Sequence, residues 1–232
     1  MERNVGVSII IPCYNEEKRI PKTVQIMNAW LNTHLQDEVI FSDDGSEDNT
    51  IEQIFNLRKH TRMKIMESGY NFGKWNAIRK AFFMCKNPYV VLLDADLSVD
   101  PKYIDEYGTL LEPNCLVLGN RYGKYKSKVP LARFILSRGF NILERLIVGL
   151  RLPDTQVPFK MMERSPKMAQ VFVELEERKF TGDVELIRRA QLKGVKMSSV
   201  DVQYEFKEGS TVLFKKHAWP MFKALWAIRK IR

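Results

Sequence analysis

A chain of 232 residues that is 45% hydrophobic and 11% aromatic carries enough apolar material for a packed core. At roughly 150 residues per domain this makes one to two domains and excludes a disordered polypeptide. No run approaches the roughly 18 apolar residues of a membrane span, and Met1-Glu2-Arg3-Asn4 leads straight into a strand-like segment without an apolar signal region, so neither a transmembrane nor a secreted chain is expected. Lys and Arg number 37 against 28 Asp and Glu, and the net charge of +9 favours an anionic partner: nucleic acid, a phosphorylated substrate or an acidic membrane surface.

In chain order, short β-branched runs alternate with helical patterns, the signature of crossover units and a mostly parallel sheet. Strands are predicted at Val5 to Ile11, Val39 to Ser42, Met63 to Met66, Tyr89 to Leu93 and Leu116 to Leu118, with helices at Pro21 to Leu35, Asn49 to Lys59 and Lys74 to Lys86 between them. Near-continuous apolar runs such as Val7-Ser8-Ile9-Ile10-Ile11 suit strands covered on both faces. After Gly123 come an amphipathic segment over Pro130 to Leu150, a loop with Asp154, helices at Pro166 to Glu177 and Asp183 to Lys193, a strand at Lys196 to Tyr204, and a basic tail. Leu131, Ile135, Ile142, Leu146 and Leu150 form one stripe of the amphipathic segment, with Arg133 and Glu144 opposite and Arg138 and Arg145 at its margin, which predicts a helix packed by that stripe on the sheet. Cys13, Cys85 and Cys115 are odd in number and widely spaced, and read as buried thiols of a cytosolic protein.

In open α/β sheets, ligands bind beyond the carboxyl ends of the strands. After the first strand come Pro12-Cys13-Tyr14-Asn15-Glu16-Glu17 and after the second Asp43-Asp44-Gly45-Ser46-Glu47-Asp48, although Asp-Gly is also an ordinary turn and Ser46 or Asp48 an ordinary helix cap. After the fourth come Asp94-Ala95-Asp96. A bare Asp-x-Asp is often just a solvated loop, but two acids at an apolar strand end repel each other and lose hydration unless a cation sits between them. Hard oxygen donors of that kind suit Mg2+ or Mn2+.

The series Pro12-x-Tyr14-Asn15-Glu16, Asp43-Asp44-Gly45-Ser46, Asn71-x-Gly73-Lys74, Asp94-Ala95-Asp96-Leu97-Ser98 and Gly119-Asn120-Arg121-Tyr122 resembles the family-two glycosyltransferases of the A-type fold. Asp154-Thr155-Gln156-x-x-Phe159-Lys160 and Asp183-Val184-Glu185-Leu186 are similar to the polyprenyl-phosphate sugar synthases, the group that contains dolichyl-phosphate glucose and mannose synthases. The likeness covers roughly residues 5 to 212. It implies a three-layer α/β/α nucleotide-sugar-binding domain with a mostly parallel sheet over residues 1–212, followed by an amphipathic C-terminal helix over 213–232. It further implies inverting transfer of a hexose, glucose before mannose, from UDP-glucose or else GDP-mannose to a polyprenyl phosphate of dolichyl type.

By that resemblance Pro12, Tyr14 and Glu16 wall the nucleotide pocket, Asp44 with Asp43 receives the base, and Asp94 and Asp96 meet the ribose and the metal-bound diphosphate. Arg121 and Lys74 supply positive charge near the leaving diphosphate or the acceptor phosphate, and Gln156 lies at the sugar or diphosphate, although Gln156 and Lys160 also read as plain loop and strand residues. Asp183 is the functional acid of its pair, Glu185 serving to begin a helix. Ser98 departs from the glutamine that mannose synthases carry as a further metal ligand, which favours the glucose branch.

From Lys215 onward the tail carries Lys215, Lys216, Lys223, Arg229, Lys230 and Arg232 without an acid. Pro220 is expected to start a helix with Met221, Leu225 and Ile228 on one face and Trp219, Phe222 and Trp226 as amphipathic rings, which suits an anionic lipid surface, with intramolecular or oligomer packing as the alternative. A cytoplasmic chain held peripherally on the cytosolic membrane face is the expectation. The same fold could instead serve a sugar or protein hydroxyl with Asp183 as base, but no Gln-x-x-Arg-Trp segment of polysaccharide-elongating relatives is present. Nucleic-acid binding leaves Asp43, Asp44, Asp94 and Asp96 unexplained, since acids at the ligand edge repel a phosphate backbone.

Overall fold

A computed structural model describes residues 5–125, 130–177, 181–207 and 214–231, without the side chains of 131–133 and 214–218. Met1 to Asn4, the boundary at 212/213, the side chains of Leu131, Arg133, Lys215 and Lys216, and Arg232 thus lie outside the described residues.

Among the described residues the strands are β1 (Val7–Cys13), β2 (Glu38–Asp43), β3 (Met63–Glu67), β4 (Tyr89–Leu93), β5 (Cys115–Asn120), β6 (Phe159–Glu163) and β7 (Lys196–Asp201). They form one sheet in the order β3-β2-β1-β4-β6-β5-β7. Only β6 runs against the others. The helices are α1 (Ile20–Thr33), α2 (Thr50–Leu57), α3 (Lys74–Met84), α4 (Tyr103–Glu106), α5 (Leu131–Ile147), α6 (Pro166–Glu174), α7 (Gly182–Leu192) and α8 (Phe214–Arg229).

Alternation along the strands builds two cores. Ile9 and Ile11 of β1, with Phe41, Val91, Leu93, Val117, Phe159 and Met161, meet Val24, Met27 and Leu31 of α1 and Ile54 of α2. Ile10, with Ile40, Val90, Leu92, Leu116, Leu118 and Met162, faces the other way onto α3, α6, α7 and α8. Helices on both faces explain why all of β1 is buried and why its sequence is a run rather than an alternation. Each fully buried Val, Leu, Ile or Met contributes roughly 1.5–3 kcal/mol.

Four features differ from the sequence reading. β1 runs on to Cys13 and β2 to Asp43, so Pro12 pairs with Ser42 inside the ladder rather than following it. β6 is not among the predicted strands, although Lys160 also reads as a strand residue, because Phe159-Lys160-Met161-Met162-Glu163 has neither β-branched residues nor alternation. Pro220 lies inside α8, which begins at Phe214, and the face of Met221, Leu225 and Ile228 is buried in the protein, the packing held above as the alternative to lipid contact. Most consequential is α5, which faces the other way round: Ile135, Ile142 and Leu146 are 60, 56 and 74% exposed, and Glu144 is 1% exposed.

Candidate active site

Because β1, β2, β3, β4 and β5 are parallel, their carboxyl ends share one edge of the sheet, with Cys13, Asp43 and Glu67 in register. The reversed β6 starts at that edge, where Phe159 pairs with Leu93 and Lys160 with both Leu92 and Leu118. One antiparallel strand therefore delivers the Asp154-to-Lys160 motif to the place where the parallel strands end.

The turn after β2 is built by its own acids. Asp43 is fully buried and accepts from the amides of Gly45 and Ser46, both at 2.8 Å, and from the Ser46 hydroxyl. Gly45 has φ +79 and its position abuts the Tyr70 backbone, so a side chain there would clash. Asp44 accepts from Phe72 N at 3.0 Å and Gly73 N at 2.7 Å, tying the turn to the start of α3, and burial raises its pKa against these two bonds. Tyr14 is exposed at the same edge. Glu16 is ion-paired with Arg19 at 2.6 Å, yet burial, with Asp96 and Asp94 adding to it, raises its pKa.

Lys74 opens α3 and places its ammonium 2.5 Å from Asp94 Oδ1. Burial opposes the charge, but Asp94, Asp183 and Asp96 outweigh it and raise the Lys74 pKa, so the ammonium stays protonated at neutral pH. Asp96 Oδ1 accepts from Ser98 N at 2.9 Å, and Leu97 holds φ +47. Beyond β7, Tyr204 bridges to Val99 and Lys207 Nζ donates to the Asp96 carbonyl at 2.6 Å. Sequence reasoning missed Lys207, since no pattern marks a lysine whose partners are carbonyls 110 residues earlier.

Asp183 lies at the first turn of α7, its Oδ1 2.5 Å from Lys160 Nζ and its Oδ2 accepting from the Trp75 indole N–H at 3.3 Å. Gly182 permits this contact, for a Cβ there would stand 2.3 Å from the Trp75 ring. Lys160 is 2% exposed. A lysine within an apolar run is itself the signal that sequence reading could have used. Glu185 does not merely begin a helix: it is buried, accepts from the amides of Glu176 and Glu177, and pairs with Arg189 at 2.6 Å.

Arg121, after β5, binds fully buried Asp154 through Nε at 2.8 Å and Nη2 at 3.2 Å. Its guanidinium lies 5.3 Å from the Tyr122 and Tyr204 ring centroids, and Arg138 of α5 lies 4.7 Å from that of Tyr122. Gln156 donates to Glu144 Oε1 at 3.3 Å, and Thr155 Oγ1 donates to Oε2 at 2.6 Å. Glu144, expected on the outer side of α5, is thereby drawn into the surroundings of the site. The structure thus brings Glu16, Lys74, Asp94, Asp96, Lys160 and Asp183 into one electrostatic cluster, sets Arg121, Asp154 and Gln156 beside it, and leaves Asp43 beneath it as a turn former.

A divalent cation fits the two strand-end carboxylates. The donors are hard oxygens, and the second oxygens of Asp94 and Asp96 have no protein partner among the described residues. No group of three acidic, His or Cys side chains that could hold a metal is present among the described residues.

The model of glycosyl transferase family 2 matches residues 8–168. A dolichyl-phosphate beta-glucosyltransferase of Trichomonas vaginalis is 30% identical over 89% of this chain and 68% of its own length. The human dolichyl-phosphate beta-glucosyltransferase is 26% identical over 89% and 69%. Glycosyltransferase AglD of Haloferax volcanii is 29% identical over 90% of this chain and 34% of its own. Among solved structures, glucosyl-3-phosphoglycerate synthase from Mycobacterium tuberculosis in complex with UDP superposes with a TM-score of 0.67 at 17% identity, covering 99% of this chain and 82% of that one. The same enzyme with Mn2+, UDP-glucose and glycerol 3-phosphate gives 0.64 at 16% identity, over 97% and 79%. The structural likeness carries the A-type fold, the family match carries the activity class, and the chain belongs to glycosyl transferase family 2 as a glycosyltransferase.

Proposed function

We propose that this glycosyltransferase transfers a hexose, glucose before mannose, with inversion from a nucleotide diphosphate sugar to a polyprenyl phosphate at the cytosolic membrane face. The observation that carries the reading is the juxtaposition of Asp94 and Asp96 at the end of β4 with the cations Lys74, Lys160 and Arg121. Acids alone would suit a metal and cations alone an anion; their alternation suits a diphosphate leaving group and an anionic acceptor together. The relatives named as dolichyl-phosphate glucosyltransferases support the acceptor, and the neighbour bound to Mn2+ and UDP-glucose supports the donor and a divalent ion.

In this reading Pro12, Tyr14, Glu16 and Asp44 line the nucleotide pocket, with Asp43 shaping the turn beneath. Asp94 and Asp96 hold Mg2+ or Mn2+, which when bound neutralises charge on the leaving diphosphate. An acceptor phosphate oxygen attacks the anomeric carbon, and the bond to the diphosphate oxygen breaks with its electron pair. Lys74 and Arg121 stabilise the separated charges, and Gln156 orients the sugar. The acceptor is anionic before it attacks and has no proton to lose, so Asp183, with both oxygens held by Lys160 and Trp75, serves to fix Lys160. A hydroxyl acceptor would instead need Asp183 as base.

Residues 1–212 form the catalytic part and 213–232 an appended basic segment whose inner face joins the core. The outward face of α5, with Ile135, Ile142 and Leu146 beside Arg138 and Arg145, supports peripheral contact with anionic lipid. So do Trp219 and Trp226 of α8, 65 and 45% exposed, which Lys223 and Arg229 flank. No helix among the described residues is long and apolar enough to cross a membrane. A thermal-shift screen of nucleotide sugars with Mn2+ tests the donor: UDP-glucose should raise Tm most, and a larger shift with GDP-mannose would move the assignment to the mannose branch.

A further inference from the structure

Helix α5 grips the segment before β6 through polar side chains that take no part in the steps of transfer. Among the described side chains of α5, Phe140, Asn141, Glu144 and Ile147 turn inward and are buried. Asn141 Nδ2 donates to the Pro153 carbonyl at 3.2 Å, and Arg145, at the edge of that stripe, donates through Nη2 to the Leu152 carbonyl at 3.1 Å. Between them Glu144 accepts from Thr155 Oγ1 and Gln156 Nε2. The three residues close on consecutive parts of one segment, whose Asp154 holds Arg121 and accepts from the Gln156 backbone amide at 3.1 Å.

Burying a carboxylate is unfavourable, and two neutral donors do not offset it here: burial, with Asp154 and Asp183 adding repulsion, pushes the Glu144 carboxyl up to about 7. A leucine would occupy the same stripe without that penalty. What only a polar group can do is hold Gln156, since an amide nitrogen donates and never accepts.

We infer that Glu144 is a positioning residue for sugar transfer, fixing from α5 the Gln156 side chain and the Asp154-to-Gln156 backbone against which Arg121 is aligned. This rests on the proposed reaction, with Gln156 at the sugar or diphosphate. The charged groups around Glu144 are themselves paired: Asp154 of the segment with Arg121, and Asp183 of α7 with Lys160 of β6. Lys223 and Arg229 of α8 and Lys230 just after it are exposed, as is Arg145 on its own helix. Thr155 carries a hydroxyl, which can reverse from donor to acceptor. Glutamine at 144 can therefore keep both bonds, its oxygen accepting from Gln156 and its nitrogen donating to Thr155. Leucine can keep neither.

The test compares wild type, Glu144→Gln, Glu144→Leu, Gln156→Ala and the Glu144→Leu/Gln156→Ala double variant. One readout is transfer from UDP-glucose to a short polyprenyl phosphate with Mn2+, the other amide hydrogen exchange of the folded chain. Glu144→Leu should lose about tenfold in kcat with the KM for UDP-glucose within about twofold, and Glu144→Gln should stay within about twofold of wild type. The double variant should be no slower than the worse single one. Amides of Thr155 to Val157 should exchange about tenfold faster in Glu144→Leu and at the wild-type rate in Glu144→Gln. Additive losses in the double variant, or unchanged exchange in Glu144→Leu, would overturn the inference. Absence of transfer by the wild-type chain would strike the proposed reaction instead, and the exchange comparison then decides the role of Glu144 in holding the segment by itself.

Discussion

Helices α1 and α5 carry comparable apolar content and turn opposite faces to the protein. α1 buries its apolar stripe, Ile20, Val24, Met27 and Leu31, against the sheet, with Thr23 and Asn28 buried beside it. α5 leaves its stripe of Ile135, Ile142 and Leu146 outside and buries Phe140 and Ile147 together with Asn141 and Glu144. Apolar periodicity therefore identifies a helix without saying which phase its apolar face meets. On α1 that phase is the core, and on α5 it is the outside of the molecule, where we propose a lipid surface.

The largest effect that could break this contrast is a charge placed on each apolar face. Met27→Asp in α1 puts an unpaired carboxylate at a fully buried position and should cost roughly 4 kcal/mol or more, leaving the chain largely unfolded. Ile142→Asp with Leu146→Asp in α5 should change stability by only about 0.5 kcal/mol. Urea titrations followed by circular dichroism measure both, and equal destabilisation would mean that the two faces are equivalent.

A second, smaller effect sharpens the inward side. Glu144 ionises near 4.5 in the unfolded chain and near 7 in the fold, so the fold prefers the protonated form. The penalty is absent below the unfolded value, grows between the two, and is complete above the folded one. Glu144→Gln should therefore match wild type in stability at pH 4 and exceed it at pH 8 by roughly 2–3 kcal/mol. An equal difference at both pH values would show that the side chain is not held as described.

The smallest expected effect concerns the outward side. Flotation with vesicles containing anionic lipid should show about tenfold weaker binding for Ile142→Asp with Leu146→Asp, and a similar loss for Trp219→Ala with Trp226→Ala. Undiminished binding by both double variants would reassign these faces to a contact between protein chains.

Much of the site was legible because its residues follow strands whose apolar runs are unambiguous: Tyr14 and Glu16 after β1, Asp44 after β2, Asp94 and Asp96 after β4, and Arg121 after β5. Their side chains owe their place to local sequence. Asp43 shows the boundary of that reasoning, since a motif carboxylate and a turn-forming carboxylate look alike until the Gly45 and Ser46 amides are seen to bind it. Glu144, Lys160 and Lys207 were illegible or underweighted for a different reason. Their partners lie on other elements, and their roles depend on the reversal of β6, the facing of α5 and the return of the chain from β7 across the Asp96 loop. These are tertiary facts with no periodic trace.

The central claim, sugar transfer to a phosphate group through strand-end carboxylates, is tested most directly by supplying UDP-glucose and Mn2+ with either a short polyprenyl phosphate or the corresponding polyprenol. Product should form with the phosphate and none with the alcohol. Asp96→Asn should lose about a hundredfold or more of that activity at an unchanged Tm, and Asp183→Asn should retain measurable transfer. Efficient transfer to the polyprenol, with near-complete loss in Asp183→Asn, would contradict it and make Asp183 the base of a hydroxyl-acceptor enzyme.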